Sequence, residues 1–354
     1  MSNRFDDAPS VTIGEIARRA RVSRSTVSYA LSGKRPVSEA TRLRIQQVID
    51  EMGYQPNASA RALARGETRT LGLVFPPAST HYTDMQLDFI GGLVDAAAVR
   101  DYDVLMSPAG AEDRGFHRLI GERRVDGAVL MEIRLQDARV DRMRATGFPF
   151  VTIGRTAEPD GTSWVDLDHG RLVRHCVRHL AQLGHRRLAL VNRSEELIRA
   201  GYESARRGQD GFEAALAEHA VSGRSYQCGD DAASGEDCVE RILADDPGVT
   251  GIVTLNEAAL GGLYRGLGAA GRAIPRDMSV TGIVGSRWAE AVTPALTAAD
   301  VPSREMGRIA IDLLLERIGA PAAPLRHQLL TPPISLRAST APTTTPPTTQ
   351  PAAT

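Results

Sequence analysis

The sequence predicts two parts: a small α-helical helix-turn-helix headpiece, then a two-lobed α/β body with parallel sheets. Three observations carry this. Helix-start signals at Thr12 and Ser23 lie close together near the N-terminus. Positive charge collects in the same segment. From about residue 70, short apolar runs alternate with longer helical patterns, the signature of strands joined by crossover helices.

The first helix begins at Ile13, because Thr12 followed by Glu15 is a capping box, and Ile16, Ala17 and Ala20 recur at helical spacing. The chain turns over Arg21-Val22, and Ser23 caps the second helix. Its Val27 and Leu31 face inward, leaving Arg24, Ser25, Ser28 and Tyr29 on the outer face near the N-terminal end, where a recognition helix meets base edges. A third helix, capped by Ser38 and running from about Glu39 to Met52, offers Leu43, Ile45, Val48, Ile49 and Met52 to close a three-helix core. Pro56 then precedes a capping Asn57, and Ala58 to Arg65 are good helix formers that stop at Gly66. So short a helix with no apolar stripe is marginal by itself. It reads either as a helical linker or as a segment that folds only against DNA.

Charge divides along the same line. Residues 1–69 carry twelve Arg or Lys and seven Asp or Glu, a net +5, and the remainder carries −6, so the overall −1 hides a basic module on an acidic body. Lys34 is the one lysine, and so general an arginine bias weakens arginine counting as evidence for DNA.

Thr12-x-x-Glu15-Ile16-Ala17, Val22-Ser23-x-x-Thr26-Val27-Ser28, Val37-Ser38-x-x-Thr41-Arg42, Gly53-Tyr54-x-Pro56-Asn57 and Ala62-Leu63-Ala64 together resemble the DNA-binding headpiece of lactose-repressor (LacI/GalR) type regulators. The resemblance implies a helix-turn-helix domain over 11–56, a hinge helix over 57–66, a two-lobed, periplasmic-binding-protein-like effector and dimerisation domain over 70–338, and a tail over 339–354. It implies that Arg24, Ser25 and Tyr29 read bases in the major groove. A guanidinium at position 24 suits guanine, whose O6 and N7 it pairs bidentately. Ser23, Thr26, Ser28, Thr41 and Asn57 would hold phosphates, with Thr12 in the same DNA-facing set, and Leu63 would wedge a central base step open in the minor groove.

Strands are expected at 71–75, 104–106, 127–131 and 150–153, then at 188–191, 251–254 and 279–283. Helices are expected near 84–100, 112–122 and 136–146 in the first lobe, and near 168–183, 205–219, 231–244 and 257–270 in the second. By the resemblance, the chain crosses between lobes near residues 164, 296 and 323, and a ligand lies in the cleft at the carboxyl ends of the strands. Candidate effector contacts after strands are His81, Tyr82, Glu132, Arg134, Arg155, Asn192 and Arg193, with Arg207 and Asn256 at positions the family uses. Two departures matter. Gly208 stands where relatives carry an arginine three residues before Gly-Phe, and Val284 replaces a carboxylate that clamps sugar hydroxyls. The expected effector is a sugar, a sugar derivative or, given converging arginines, an anionic metabolite.

Other chemistries find no support. Gly266-x-Gly268-x-x-Gly271 ends a helix instead of opening one after a strand, His175 and His179 lack a third ligand, and neither a GxSxG elbow nor a P-loop occurs. Asp168 reads as a helix cap, and Asp230-Asp231 and Glu236-Asp237 read as charges at a helix N-terminus that its dipole favours. No cofactor, metal site or catalytic residue is expected. Cys176, Cys228 and Cys238 have no CxxC spacing, and neither a signal-like segment nor an apolar run of about 18 residues appears, which fits a cytoplasmic protein off the membrane. The expected function is sequence-specific transcription regulation, by default repression, by a homodimer on operator DNA. The competing class, a solute receptor or sugar-processing enzyme on the same lobes, lacks an export signal and a catalytic constellation. After Ser339 the Thr, Pro and Ala content predicts disorder.

Overall fold

The computed structural model describes residues 11–32, 35–54, 67–75, 83–108 and 114–343. The expected hinge helix with Asn57 and Leu63, the candidates His81 and Tyr82, and the tail after residue 343 lie outside the described residues.

Helices α1 (Ile13–Arg19), α2 (Arg24–Ser32) and α3 (Glu39–Met52) form the headpiece. The capping box is present: Thr12 N donates to Glu15 Oε2 at 2.7 Å and Glu15 N donates to Thr12 Oγ1 at 3.3 Å. The bond from Thr12 N, with a second from Thr12 Oγ1 to the same carboxylate oxygen at 3.0 Å, holds the Glu15 carboxyl below its usual range. Ile16, Ala17, Ala20, Val27, Ile45, Val48 and Ile49 make the core, with Leu31 and Met52 packed against it. Leu43 does not join them and is 65% exposed. The buried stripe of α3 runs through 45, 48, 49 and 52, and a residue two positions before that stripe points away from it. Ser38 is the N-cap of α3 but makes no side-chain capping bond, its hydroxyl lying instead 2.8 Å from Thr41 Oγ1.

The body starts with β1 (Thr70–Phe75), α4 (Asp84–Ala98), β2 (Asp103–Pro108), α5 (Arg114–Gly121), β3 (Gly127–Leu130), α6 (Ala138–Thr146), β4 (Phe150–Ile153) and β5 (Ser163–Leu167). The second lobe follows as α7 (His169–Gln182), β6 (Arg187–Asn192), α8 (Glu195–Arg199), α9 (Glu203–His219), β7 (Ser222–Gln227), α10 (Ala232–Asp245), β8 (Gly251–Thr254), α11 (Leu260–Ala269), β9 (Ser279–Val284), α12 (Ser286–Ala291) and β10 (Thr297–Asp300). The chain then returns to the first lobe with α13 (Ser303–Gly319) and β11 (His327–Leu330), and closes in the second with β12 (Ile334–Ser335). The first sheet has the order β11-β5-β4-β3-β1-β2 and is parallel throughout; the second, β12-β10-β9-β8-β6-β7, is parallel except for β12.

Asp168 caps α7 as expected, accepting from Arg171 N, and Asp231 proves to be the N-cap of α10, accepting from Ser234 N. Helices α10 and α11 lie so close that a Cβ on Gly262 would fall 1.8 Å from Ala232 O. The three crossovers lie after Leu167, Asp300 and Leu330, each later than the sequence suggested, because β5, β10 and β11 precede them. Part of the expected tail is structured. Ser339 is fully buried, donating to Val280 O at 2.6 Å and accepting from Thr297 N at 2.8 Å, and His185 Nε2 lies 3.0 Å from Ala341 O. The starts of β9 and β10 supply partners that the composition alone does not reveal.

Candidate functional sites: the recognition helix and the interlobe cleft

In the headpiece, the N-terminal turn of α2 gathers hydroxyls. Ser23 Oγ accepts from Thr26 N at 3.0 Å and lies 2.7 Å from both Thr26 Oγ1 and Ser25 Oγ. Such a turn presents free amide donors and a partial positive charge, suited to a phosphate. Arg24 and Ser25 are exposed, while Ser28 and Tyr29 are half-buried. The Arg24 guanidinium folds back along α1, its Nη2 2.9 Å from where a Cβ on Gly14 would stand. Tyr29 carries the Arg35 guanidinium 5.2 Å from its ring centre.

Between the lobes lies a cleft of about 740 Å³, counting its open mouth. Met85, Phe89, Met131, Ile153, Leu255, Ile283 and Met306 give it apolar walls; Glu132, Asp166, His169, Arg193 and Glu203 are its charged or titratable lining. The lobes also touch through backbone, Glu203 N donating to Ile133 O at 3.0 Å and Leu135 N to Gly201 O at 2.8 Å.

One end of the cleft holds a buried charge cluster beside the first crossover. Asp166 ends β5, His169 opens α7, and Glu203 and Arg207 stand one turn apart on α9. Arg207 donates to Glu203 Oε2 at 2.9 Å, to Arg155 O at 3.0 Å and to Thr156 O at 3.0 Å, and so joins the second lobe to the loop after β4. Asp166 Oδ2 lies 3.5 Å from Arg155 Nε and 3.7 Å from Arg207 Nη1, and His169 Nδ1 lies 3.6 Å from Glu203 Oε1. Burial, reinforced by the Glu203 charge, pushes the Asp166 carboxyl well above the usual range. Burial opposes the charged form of His169, yet Glu203 and Asp166 outweigh it and raise the imidazole. Glu203 stays low although burial disfavours its charge, because His169 and Arg207 flank it.

The expected effector contacts are scattered by the fold. Glu132 lines the cleft, its Oε1 accepting from Gln86 Nε2 at 2.6 Å. Arg155 and Arg207 meet in the charge cluster, Arg193 is held by Asp230 through two bonds of 3.1 Å, and Arg134 covers the Tyr202 ring. Asn192 and Asn256 are fully buried and bonded to backbone, Asn192 donating to Ala205 O and Asn256 to Cys228 O and Gly229 O. They brace loops beneath the cleft and do not line it. Arg155, Arg193 and Arg207, expected to attract an anion, therefore already have carboxylate partners, and Arg134 is taken up by an aromatic ring. Gly208 has a steric cause, since a Cβ there would lie 2.3 Å from Leu255 Cδ1, and Val284 is fully buried in the second core. Sequence reasoning missed Asp166, His169 and Glu203. The signal for Glu203 was its spacing of four from Arg207; Asp166 lies in β5, a short strand that the sequence pattern did not place.

Fold and sites define a class: a DNA-reading headpiece on a ligand-cleft module is the architecture of an effector-controlled transcription regulator. Residues 12–57 match the family model for bacterial regulatory proteins of the lacI family, and residues 177–340 match a periplasmic binding protein-like domain. The HTH-type transcriptional regulator AglR of Rhizobium meliloti (strain 1021) is 31% identical over 277 residues, 76% of each chain. The catabolite control protein A of Priestia megaterium is 30% identical over 313 residues, covering 86% of this chain and 91% of that one. A lac repressor dimer bound to operator and an anti-inducer superposes with a TM-score of 0.80 over 94% of this chain and 99% of that one, at 23% identity, a likeness of fold. The chain belongs to the lacI family of bacterial regulatory proteins, and is a DNA-binding transcription regulator. Among the described residues no helix is long and apolar enough to cross a membrane.

Proposed function

We propose that the chain is a cytoplasmic repressor that binds a pseudo-palindromic operator as a homodimer, and that a small molecule in the interlobe cleft sets its operator affinity. The observation that carries this is the position of the cleft: both lobes line it, and the charge cluster at its end sits on a crossover. A ligand touching both lobes has a differential affinity for their closed arrangement, which is what an allosteric coupling requires. Support for the dimer comes from Leu87 and Val94 on α4 and Met106 on the edge strand β2, all exposed large apolar residues in the first lobe.

Arg24, Ser25 and Tyr29 read bases in this proposal; Ser23, Thr26, Ser28, Thr41 and Asn57, with Thr12, face the backbone, and Leu63 is the wedge. Among similar proteins are a ribose operon repressor and a regulator CelR solved in complex with cellobiose. The test is selection of operators from random DNA with the full chain, followed by Leu63→Ala on the selected site. A symmetric consensus and weakened binding by the variant are expected. A pool with no enriched sequence would overturn the proposal, and undiminished affinity of the variant would remove the wedge.

A further inference from the structure

The polar end of the cleft, on which the following rests as part of the proposed effector site, has a geometry of its own. Asp166 Oδ2, His169 Nδ1 and a Glu203 carboxylate oxygen line one cavity, and one ligand atom from each lies within 4.8 Å of the others. Asp166 is 1% exposed, and its Oδ2 has no hydrogen-bond partner; His169 Nδ1 has none either. The remaining oxygens are committed, Asp166 Oδ1 to Leu167 N at 2.7 Å and Glu203 Oε2 to Arg207 at 2.9 Å. Three acceptor atoms thus share one small space, and a buried carboxylate oxygen without a donor is costly unless a ligand supplies one.

The electrostatics point the same way. Asp166 and His169 both take up a proton more readily than usual, although burial works against a charged imidazole. Even with Arg155 and Arg207 behind the carboxylates, added positive charge is stabilised at this point. A proton, a metal ion or a protonated amine would each supply it, and the surroundings separate them. A transition metal holds its ligands at about 2.1 Å, which places tetrahedral donors about 3.4 Å apart. An ammonium nitrogen accepted at about 2.8 Å places them about 4.6 Å apart. The 3.6 Å between His169 Nδ1 and Glu203 Oε1 and the 4.8 Å bound admit both, so what lies beyond the cradle decides. Beyond it the walls are Met85, Phe89, Ile153, Leu255 and Met306, apolar on both lobes.

We propose that Asp166, His169 and Glu203 form a cradle for the ammonium group of a small primary amine with an apolar body, and that this amine class is the effector of the cleft. The ammonium takes the place of the proton that the cluster otherwise binds, so that with Asp166 ionised and His169 neutral each of its N–H groups meets one acceptor, and the alkyl or aryl body fills the space between the lobes. Asp166 belongs to the first lobe while His169 and Glu203 belong to the second, so the cation ties the lobes together.

The test uses the full chain with methylammonium, cyclohexylammonium and 2-phenylethylammonium chlorides, each against its matching alcohol in sodium chloride of equal ionic strength. Thermal unfolding and calorimetric titration are the readouts. An ammonium is expected to bind at least about tenfold more tightly than its alcohol, because charge-assisted bonds replace neutral ones. Glu203→Gln is expected to reduce that preference to about twofold or less. Equal binding of amine and alcohol to the unaltered chain, or no binding of any ammonium at millimolar concentration, overturns the cradle whatever the variant does. Stabilisation by zinc or manganese chloride that EDTA reverses, without an ammonium effect, overturns it in favour of a metal. Operator affinity measured in parallel with ribose and cellobiose separates the two proposals. A sugar response without an ammonium response defeats the cradle and leaves cleft control standing. Ammonium binding that leaves operator affinity unmoved keeps the cradle as a binding site and removes the amine as effector.

Discussion

Replacing Arg207 with alanine tests how the charge cluster holds the lobes. The guanidinium makes three bonds of 2.9–3.0 Å, to Glu203 Oε2 and to the carbonyls of Arg155 and Thr156. Glu203 and Asp166 have side chains 6% and 2% exposed, so the truncation leaves two carboxylates facing each other without one of the two guanidiniums beside them. Breaking a buried pair from one side costs about 3–5 kcal/mol, or roughly 6–15 °C in the unfolding midpoint for a domain of this size. The pH dependence distinguishes charge from packing. In the variant both carboxyls bind protons more readily in the folded chain than in the unfolded one. Stability therefore falls as pH rises above the unfolded carboxylate range of about 4, and recovers on acidification. Thermal midpoints of the parent and Arg207→Ala at about pH 5 and pH 8 are expected to differ more at the higher value. A deficit of the same size at both would refute the electrostatic account and leave lost packing as the cause.

Arg24→Ala is expected to relax sequence preference at one symmetric pair of operator positions, costing about 1–3 kcal/mol there; a selection showing uniform weakening would make Arg24 a phosphate contact. Gly262→Ala should destabilise the second lobe by about 1–3 kcal/mol or more, because its Cβ would meet the Ala232 carbonyl at 1.8 Å, and an unchanged denaturant midpoint would contradict that packing. Asp137 lies in a buried pair, its Oδ2 2.6 Å from Arg139 Nη2, and although burial opposes its charge, Arg139 keeps the carboxyl low. The stability it contributes is present above the unfolded value of about 4 and is lost as pH falls through the lower folded one. Asp137→Asn should therefore cost about 3–5 kcal/mol near neutrality and progressively less in acid, as followed by urea unfolding.

Helices α8, α12 and the 17-residue α13 of the body went unplaced, but the other seven described helices were legible to within a few residues, since the Asp168 cap and the period of apolar residues are local signals. Strand β7 was not. In Ser222–Gln227 the one buried residue is Tyr226, because the strand lies at a sheet edge and is mostly solvated. Strand β10 was hidden by small residues, Thr297–Asp300, which pack well between β9 and β12 but carry no apolar run. At the site, Glu132 lines the cleft as expected. Asn192 and Asn256 did not fulfil the expectation, because a sequence shows that an amide is present and not which carbonyl takes its donors. The Asp166–His169–Glu203 cluster needed the fold, because its members come from one strand end and two helices.

The three crossovers have a bearing on how the protein is made. The first sheet gains β11, and its helix layer gains α13, from residues 303–330, after the whole core of the second lobe has been translated. Domains tend to fold as they leave the ribosome. The headpiece, with its own closed core, is thus complete at the start of synthesis, and the sensor lobe nearest to it in sequence waits until almost the last segment. A chain released early would carry a finished DNA reader beneath an unfinished sensor, with Phe89 and Leu93 on α4 lacking the helix that covers them. Proofreading of such fragments by proteases would protect the cell from a regulator able to find DNA but unable to respond.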